Sequence, residues 1–224
     1  MTLFSGVHEL AGPPRRLVLL RHGETTHNAE GVWQGQLDSP LSERGREQAR
    51  AAAAALSSLG IGRIVSSDLS RALDTARAVA EVVGVSVSAT DVRLREIHAG
   101  QWQGLTSAQV AARDPELRRA VLDGADVPRG HTGERLTEVT ARCRDYAEEL
   151  VPSMAPGECA LVVSHGVALR CLAGVVLDLD SDLVWRVLTG LGNCHWAELV
   201  EGARGWRVLT WNQRARTGGL ASED

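Results

Sequence analysis

Two short stretches of this chain end alike. Leu17-Val18-Leu19-Leu20 runs into Arg21-His22-Gly23, and Ala160-Leu161-Val162-Val163 runs into Ser164-His165-Gly166. Such an apolar run reads as a strand buried on both faces. The histidine after it then sits at a strand's C-terminal end, the edge where ligands bind in open α/β sheets. Gly23 permits a sharp turn and a close backbone approach to a ligand. A histidine beside the permanent cation of Arg21 points to an anion, a phosphate above all. A third run, 61–65, leads into Ser66-Ser67-Asp68 and a helix opening near Arg71. If the three strands are parallel neighbours, His22, Arg21, Arg71 and His165 share one cleft. The helix from about Ser70 would aim its free N–H groups there, which favours an anion.

These residue types suit phosphoryl transfer, which is mainly positioning and stabilisation of charge on non-bridging oxygens. Two guanidiniums can grip those oxygens in planar, bidentate fashion. A neutral imidazole can attack phosphorus and divide one hard step into two. A second, protonated histidine would stabilise the charge. A carboxylic acid must protonate the leaving oxygen, and Glu96 in Leu94-Arg95-Glu96 is the candidate, because it opens an irregular segment over the sheet edge. The alternative for Glu96 is a surface ion pair with Arg93 or Arg95; for Arg71, a helix-face position; for His22 and His165, satisfied structural histidines.

The elements that must hold these groups are legible in the spacing. A polar loop covers 24–40. Ser42 caps a helix whose Ala49, Ala52, Ala53, Leu56 and Leu59 follow helical spacing, and Gly60 ends it. A second helix carries Leu69, Ala72, Leu73, Ala76, Val79, Ala80 and Val83 to a stop at Gly84, and a weak strand follows at 85–89. Residues 93–133 form a cap-like insertion with short helices near 107–113 and 115–122. An amphipathic helix over 136–151 precedes the strand at 159–163, a helix spans about 167–177, and two late strands fall near 195–200 and 206–211. Strands alternating with helices predict an α/β fold, a three-layer α/β/α sandwich around a mostly parallel central sheet.

The 224 residues fit a single domain, 1–224, with a loose N-terminal arm over 1–15 and a frayed tail over 213–224. The net charge of −4 and the absence of a long basic run argue for no nucleic acid and no anionic membrane as partner. No apolar run reaches membrane-spanning length, and the first residues lack the order of a secretion signal. Cys143, Cys159, Cys171 and Cys194 are scattered without metal-binding spacing, as expected of reduced thiols in a cytoplasmic protein. No histidine pair has zinc-binding helical spacing. Trp185, Trp196, Trp206 and Trp211 are assigned to core or subunit contact, which leaves a homodimer open. Trp33 and Trp102 fall in the loops expected over the pocket, where either a sugar-facing or a packing role is open. His27, His98 and His131 are either substrate contacts or solvated loop residues.

Arg21-His22-Gly23-Glu24-Thr25-x-x-Asn28 resembles the signature of the histidine phosphatase (phosphoglycerate mutase-like) superfamily. Ser66-Ser67-Asp68-Leu69-Ser70-Arg71-Ala72, Leu94-Arg95-Glu96-x-x-Gly100 and Ser164-His165-Gly166 follow in the family's order. The resemblance implies a phosphomonoester hydrolase acting on a small phosphorylated metabolite, with His22 as the phosphorylated nucleophile and Glu96 as proton donor. It implies that Arg21, Arg71 and His165 bind the phosphate, with Asn28 and Gln34 in support, and neither a metal nor an organic cofactor. Gly166 and His98 complete the expected substrate-binding set. Ile97-His98-Ala99-Gly100-Gln101-Trp102-Gln103-Gly104-Leu105-Thr106 is similar to the phosphatase branch. Within it, His98 with Trp102-Gln103-Gly104-Leu105-Thr106-x-Ala108-Gln109, Gly192-Asn193-x-x-Trp196 and Trp206-Arg207-x-x-x-Trp211-Asn212 resemble phosphatases of glucosyl-3-phosphoglycerate. One departure is Thr132-Gly133-Glu134-Arg135, where the family carries Gly-Gly-Glu-Ser; an arginine stands in that corner of the substrate site. The alternatives are phosphoglycerate mutase-type transfer and a non-catalytic phosphate-binding module of the same fold.

Overall fold

The computed structural model describes residues 12–215. In chain order the elements are β1 (Arg16–Arg21), α1 (Thr26–Ala29), α2 (Glu43–Leu56), β2 (Arg63–Ser66), α3 (Ser70–Val83), β3 (Val87–Thr90), α4 (Ser107–Arg113), α5 (Pro115–Leu122), α6 (Leu136–Ser153), β4 (Cys159–Ser164), α7 (Gly166–Val176), α8 (Ser181–Val187), β5 (Trp196–Gly202) and β6 (Gly205–Gln213). The six-stranded sheet runs β3-β2-β4-β1-β5-β6. The first four strands of the chain are parallel, and β5 and β6 add an antiparallel edge.

Alternation along the central strands sets the layers, because successive side chains point to opposite faces. Leu17, Leu19, Ala160 and Val162 pack with Val139 and Cys143 of α6 and Leu169 and Leu172 of α7. Val18, Leu20, Leu161 and Val163 pack on the other side with Ala52 and Leu56 of α2 and Ala72 and Ala76 of α3. Both faces of β1 and β4 are thereby covered, which is why their sequences are unbroken apolar runs. The sheet is mostly parallel, as the spacing predicts.

Helix ends follow the expected signals. The Ser42 hydroxyl accepts from Gly45 N–H at 3.0 Å. Helix α2 ends at Leu56 and runs on as a 3-10 turn over Ser57–Leu59, which Gly60 closes in the left-handed region at φ 66°, and Gly84 closes α3 at φ 73°. Two helices escape the periodicity. Helix α1 is a single turn inside the polar loop, fixed by a capping box between Thr25 and Asn28. Helix α8 carries Leu183, Val184, Trp185 and Val187 in seven residues but fully buries only Val184, so its apolar residues trace no single buried face; Asp180 caps it through Leu183 N–H at 2.8 Å.

The segment 93–133 has its own small core of Ala99, Trp102 and Val110, with Trp33 and Leu105 against it. Trp33 N–H donates to Leu105 O, and Gly104 N–H to Trp33 O, each at 2.8 Å, which ties the insertion to the first loop. Trp102 is fully buried, and its Nε1 donates to Asp114 Oδ2 at 2.7 Å. It is therefore the centre of the cap's packing and not a ligand-facing ring. Trp196 and Trp206 are buried, Trp185 lies under the Arg170 guanidinium at 3.6 Å, and Trp211 Nε1 donates to Thr189 O.

Part of the arm expected to be loose is held. Pro13 O accepts from Gly157 N–H at 2.8 Å, and Arg15 Nε donates to Glu201 Oε2 at 2.8 Å. Gln213 pairs with Trp196 in the sheet, so order continues past Asn212. The rest of the expected arm, 1–11, and of the tail, 216–224, lies outside the described residues.

Candidate active site

The strand ends converge as predicted. Arg21 stands in register with Ser164, and Val163 with Ser66. His22 N–H donates to Ser164 O at 3.0 Å, so the two His-Gly corners lie side by side, with ring centroids 5.1 Å apart. Arg71 enters from the first turn of α3, with 1% of its surface exposed. Arg21, His22, Arg71, Glu96, Asn28 and Gln34 line one cleft of about 300 Å³, together with Trp33 and Val167. A larger cavity of about 450 Å³ lies behind the loop 193–195, against Arg44, Gln48 and Arg214. The cleft at the strand ends, not that cavity, holds the converging reactive groups.

His22 is held in one tautomer. Its Nδ1 lies 2.7 Å from Gly23 O, so Nδ1 carries the proton and Nε2 keeps its lone pair. Burial, then the charges of Arg21 and Arg71, hold its pKa well below the ordinary value, and the ring is neutral. Gly23 has a different reason from the one expected. A Cβ there would lie 2.5 Å from Gly45 O, so the close approach is that of the α2 backbone and not of a ligand. Glu24 completes this joint: its N–H donates to Gln48 Oε1 at 2.9 Å, and its carboxylate accepts from Ser42 Oγ at 2.9 Å.

His165 corrects a second expectation. Its Nδ1 accepts from Arg71 Nε at 3.3 Å, and its Nε2 lies 2.9 Å from Ser67 Oγ. With Nδ1 used as an acceptor, the proton sits on Nε2 and the ring is uncharged. Burial, then neighbouring Arg71, lowers its pKa well below the ordinary value. It orients Arg71 and is not the second cation that the sequence suggested.

The cations are the guanidiniums. Arg71 Nη1 donates to Leu37 O at 2.8 Å and Nη2 to Gly35 O at 2.7 Å. Arg21 Nη1 donates to Leu191 O at 2.7 Å, while its buried Nε has no protein partner among the described residues. A buried, unpaired charged donor is costly, and an anion in the cleft satisfies it. Burial lowers the pKa of both arginines, opposed chiefly by the nearby Glu96 carboxylate.

Glu96 makes neither of the ion pairs open to it. Arg93 pairs with Asp91 and Glu149, and Arg95 with Asp68. The Glu96 carboxyl accepts instead from the N–H groups of Ile97 at 2.9 Å and of Val167 and Ala168 at 3.2 Å, at the N-terminus of α7. Gly166 leaves room beside it: a Cβ there would stand 3.7 Å from Glu96 Oε2 and 3.8 Å from Arg21 Nε. The N-terminus of α3 does not serve the cleft as expected, because Asp38 Oδ1 accepts from Ser70 N–H at 3.0 Å and from Ser70 Oγ at 2.7 Å. The helix end beside the reactive groups is that of α7, and it holds a carboxyl.

Asn28 and Gln34 both reach the cleft, and Thr25 Oγ1 donates to Gln34 Oε1 at 3.0 Å. His98 does not line it; its Nδ1 accepts from Gly100 N–H at 3.2 Å, within the turn that supports the cap. His131 is drawn away to Asp114 at 3.1 Å. Arg135 does not line the cleft either, and caps α6 through Glu138. Two supports were not singled out in the sequence: Gln36 Nε2 and Arg142 Nη2 donate to Glu96 O at 3.2 and 3.1 Å. An arginine beside the buried stripe of α6, between Val139 and Cys143, is the signal that marks Arg142. No group of three or more His, Cys, Asp or Glu side chains among the described residues is placed to hold a metal ion.

Comparison with known proteins agrees with this geometry. The model of the histidine phosphatase superfamily (branch 1) matches residues 17–214. A glucosyl-3-phosphoglycerate phosphatase from Mycolicibacterium vanbaalenii is 42% identical over 90% of this chain and 96% of its own length. A probable phosphoglycerate mutase from Serratia proteamaculans is 35% identical over 88% and 89%. The solved mycobacterial glucosyl-3-phosphoglycerate phosphatase in complex with VO3 superposes with a TM-score of 0.82 at 44% identity, covering 88% of this chain and 98% of that one. The chain belongs to the histidine phosphatase superfamily, branch 1, as a phosphatase.

Proposed function

We propose that this cleft hydrolyses a small phosphomonoester through a phosphohistidine on His22, without a metal. The observation that carries the reading is the His22 ring, locked by Gly23 O with Nε2 unprotonated beside the guanidiniums of half-buried Arg21 and buried Arg71. Arg21 and Arg71 hold the non-bridging oxygens while Nε2 attacks phosphorus. In the reacting complex Glu96 carries a proton and gives it to the departing oxygen. Water then attacks the phosphohistidine, and the Glu96 carboxylate takes the water's proton. Inorganic phosphate leaves, and both residues return to their starting forms. His165 keeps Arg71 aimed at the phosphoryl group, and Asn28 and Gln34 add hydrogen bonds.

The substrate we propose is a sugar-phosphoglycerate ester such as glucosyl-3-phosphoglycerate. Two features support it: the relatives at 42% identity, and Trp33, Val32 and Ala99 on the cleft wall, an apolar rim on which a sugar ring can lie. Among the described residues no helix is long and apolar enough to cross a membrane, and the four cysteines are unpaired. Both features fit a cytoplasmic enzyme. The test is a substrate panel of phosphorylated sugars, glycerates and nucleotides in chelator-treated buffer, with 3-phosphoglycerate also checked for conversion to 2-phosphoglycerate. Phosphate release, highest on the glucosyl ester, is expected. Net isomerisation would establish a mutase, and no turnover of any ester would establish a binding module.

A further inference from the structure

The loop between α8 and β5 wraps the nucleophile from behind. Cys194 N–H is shared between Arg21 O at 3.1 Å and His22 O at 3.2 Å, and Arg21 N–H donates to His195 O at 3.0 Å. Asn212, at φ 57°, holds the loop in place: its Oδ1 accepts from Gly192 N–H at 3.0 Å and from His195 Nδ1 at 2.7 Å. Asparagine is among the few non-glycine residues that enter this backbone region readily. Asn193 aims its side chain at the site's backbone. Its Nδ2 donates to His22 O at 3.1 Å and to Asn28 Oδ1 at 3.2 Å.

We infer that Asn193 is a positioning residue that fixes which end of the Asn28 amide meets the substrate. The inference rests on the reading of the cleft as a phosphate site. Asn28 Oδ1 already accepts from Thr25 N–H at 3.2 Å, in the capping box of α1. The Asn193 amide supplies the second donor to the same oxygen. Both lone pairs of Oδ1 are then engaged, and Nδ2 is the end that a ligand in the cleft meets. The opposite flip would present an acceptor oxygen to a phosphoryl oxygen, two like partial charges in contact. Asn193 cannot flip in compensation, because His22 O and Asn28 Oδ1 are both acceptors and demand its NH2 group. His22 O keeps the Cys194 N–H when Asn193 is removed. Loss of Asn193 therefore acts on phosphate binding through Asn28 more than on the nucleophile.

The experiment is a double-mutant cycle read on KM for p-nitrophenyl phosphate and on inhibition by inorganic phosphate, with melting temperatures recorded for every variant. Asn28→Ala is expected to weaken phosphate inhibition about tenfold, the loss of one charge-assisted hydrogen bond. Asn193→Ala should weaken it about three- to tenfold, with a smaller effect on kcat. Combined with Asn28→Ala, it should add less than about twofold. Additive losses would show that Asn193 acts elsewhere and would overturn the inference, leaving the phosphate reading intact. An Asn28→Ala variant with unchanged phosphate inhibition would overturn the role of Asn28 itself. If Asn193→Ala does not fold, Asn193→Gln, which keeps the donor but displaces it, enters the same cycle with the same criterion.

Discussion

Replacement of Glu96 by glutamine separates the proton-donor role from every other role of that side chain. The substitution preserves shape and removes the proton. In the folded protein the carboxyl accepts from Ile97, Val167 and Ala168 N–H, with Oε1 taking all of them and Oε2 sharing Val167. A glutamine oxygen in the Oε1 position keeps these bonds, while its NH2 replaces Oε2 and faces the Val167 N–H. One donor-donor contact results, which costs about 1–2 kcal/mol of stability and moves no cleft residue. The catalytic loss follows from the leaving group. An alkyl or sugar oxygen needs a proton as the P–O bond breaks, and loss of the general acid costs about 10²–10⁴-fold in kcat/KM. An aryl oxygen such as p-nitrophenolate leaves unaided, so its loss stays within about tenfold. The assay compares kcat/KM for p-nitrophenyl phosphate and for a sugar phosphate on the same preparation, with urea unfolding as the stability control. Equal losses on both substrates would refute Glu96 as the acid and leave it only as a cap on α7.

Other outcomes follow from the same contacts. Gly23→Ala would press a Cβ to 2.5 Å from Gly45 O, whereas Gly31 has nothing within 4 Å. Urea unfolding should show a loss of about 1–3 kcal/mol for Gly23→Ala, and displacement of His22 should cut turnover about a hundredfold. Gly31→Ala should lose only the smaller cost of its positive φ of 67°, about 1 kcal/mol. His22 and His165 both have folded pKa values lowered below 6.5 by burial and the arginines, so below that pH the unfolded chain binds more protons. The contribution of these two histidines to stability is then fully present above pH 6.5 and falls on acidification toward the folded pKa values, by at most about 1.4 kcal/mol per pH unit for each histidine. His165→Gln should remove one proton's worth of that slope in urea titrations between pH 6.5 and 5.5; an unchanged slope would mean that His165 is not buried neutral.

The positions of the reactive groups were legible because their elements are short and unambiguous. An apolar run that stops at His-Gly reads as a buried strand ending at an edge, and two such runs, with a third at 61–65 that stops at Ser66-Ser67-Asp68, bring their ends together in an α/β alternation. Helix limits were legible wherever a cap and a stop were written as Ser42, Gly60 and Gly84. The details that decide chemistry were less so, because they depend on groups far apart in the chain. The charge of His165 is set by Arg71 and Ser67, the freedom of Glu96 by Asp68 and Asp91 taking its neighbouring arginines, and the N-terminus of α3 by Asp38. Gly23 looked like a ligand-contact glycine because nothing local shows that Gly45 backs against it. His98 carried a family resemblance but is consumed in the Gly100 turn.

The central claim is that His22 Nε2 carries the phosphoryl group between substrate and water. The direct measurement is a rapid alkaline quench of enzyme turning over a labelled phosphomonoester, followed by mapping of the modified peptide. The expected result is one PO3 unit on the peptide containing His22, lost in acid, absent in His22→Ala, and formed no more slowly than phosphate is released. Label on another residue, or full-rate hydrolysis by a folded His22→Ala enzyme, would contradict the account.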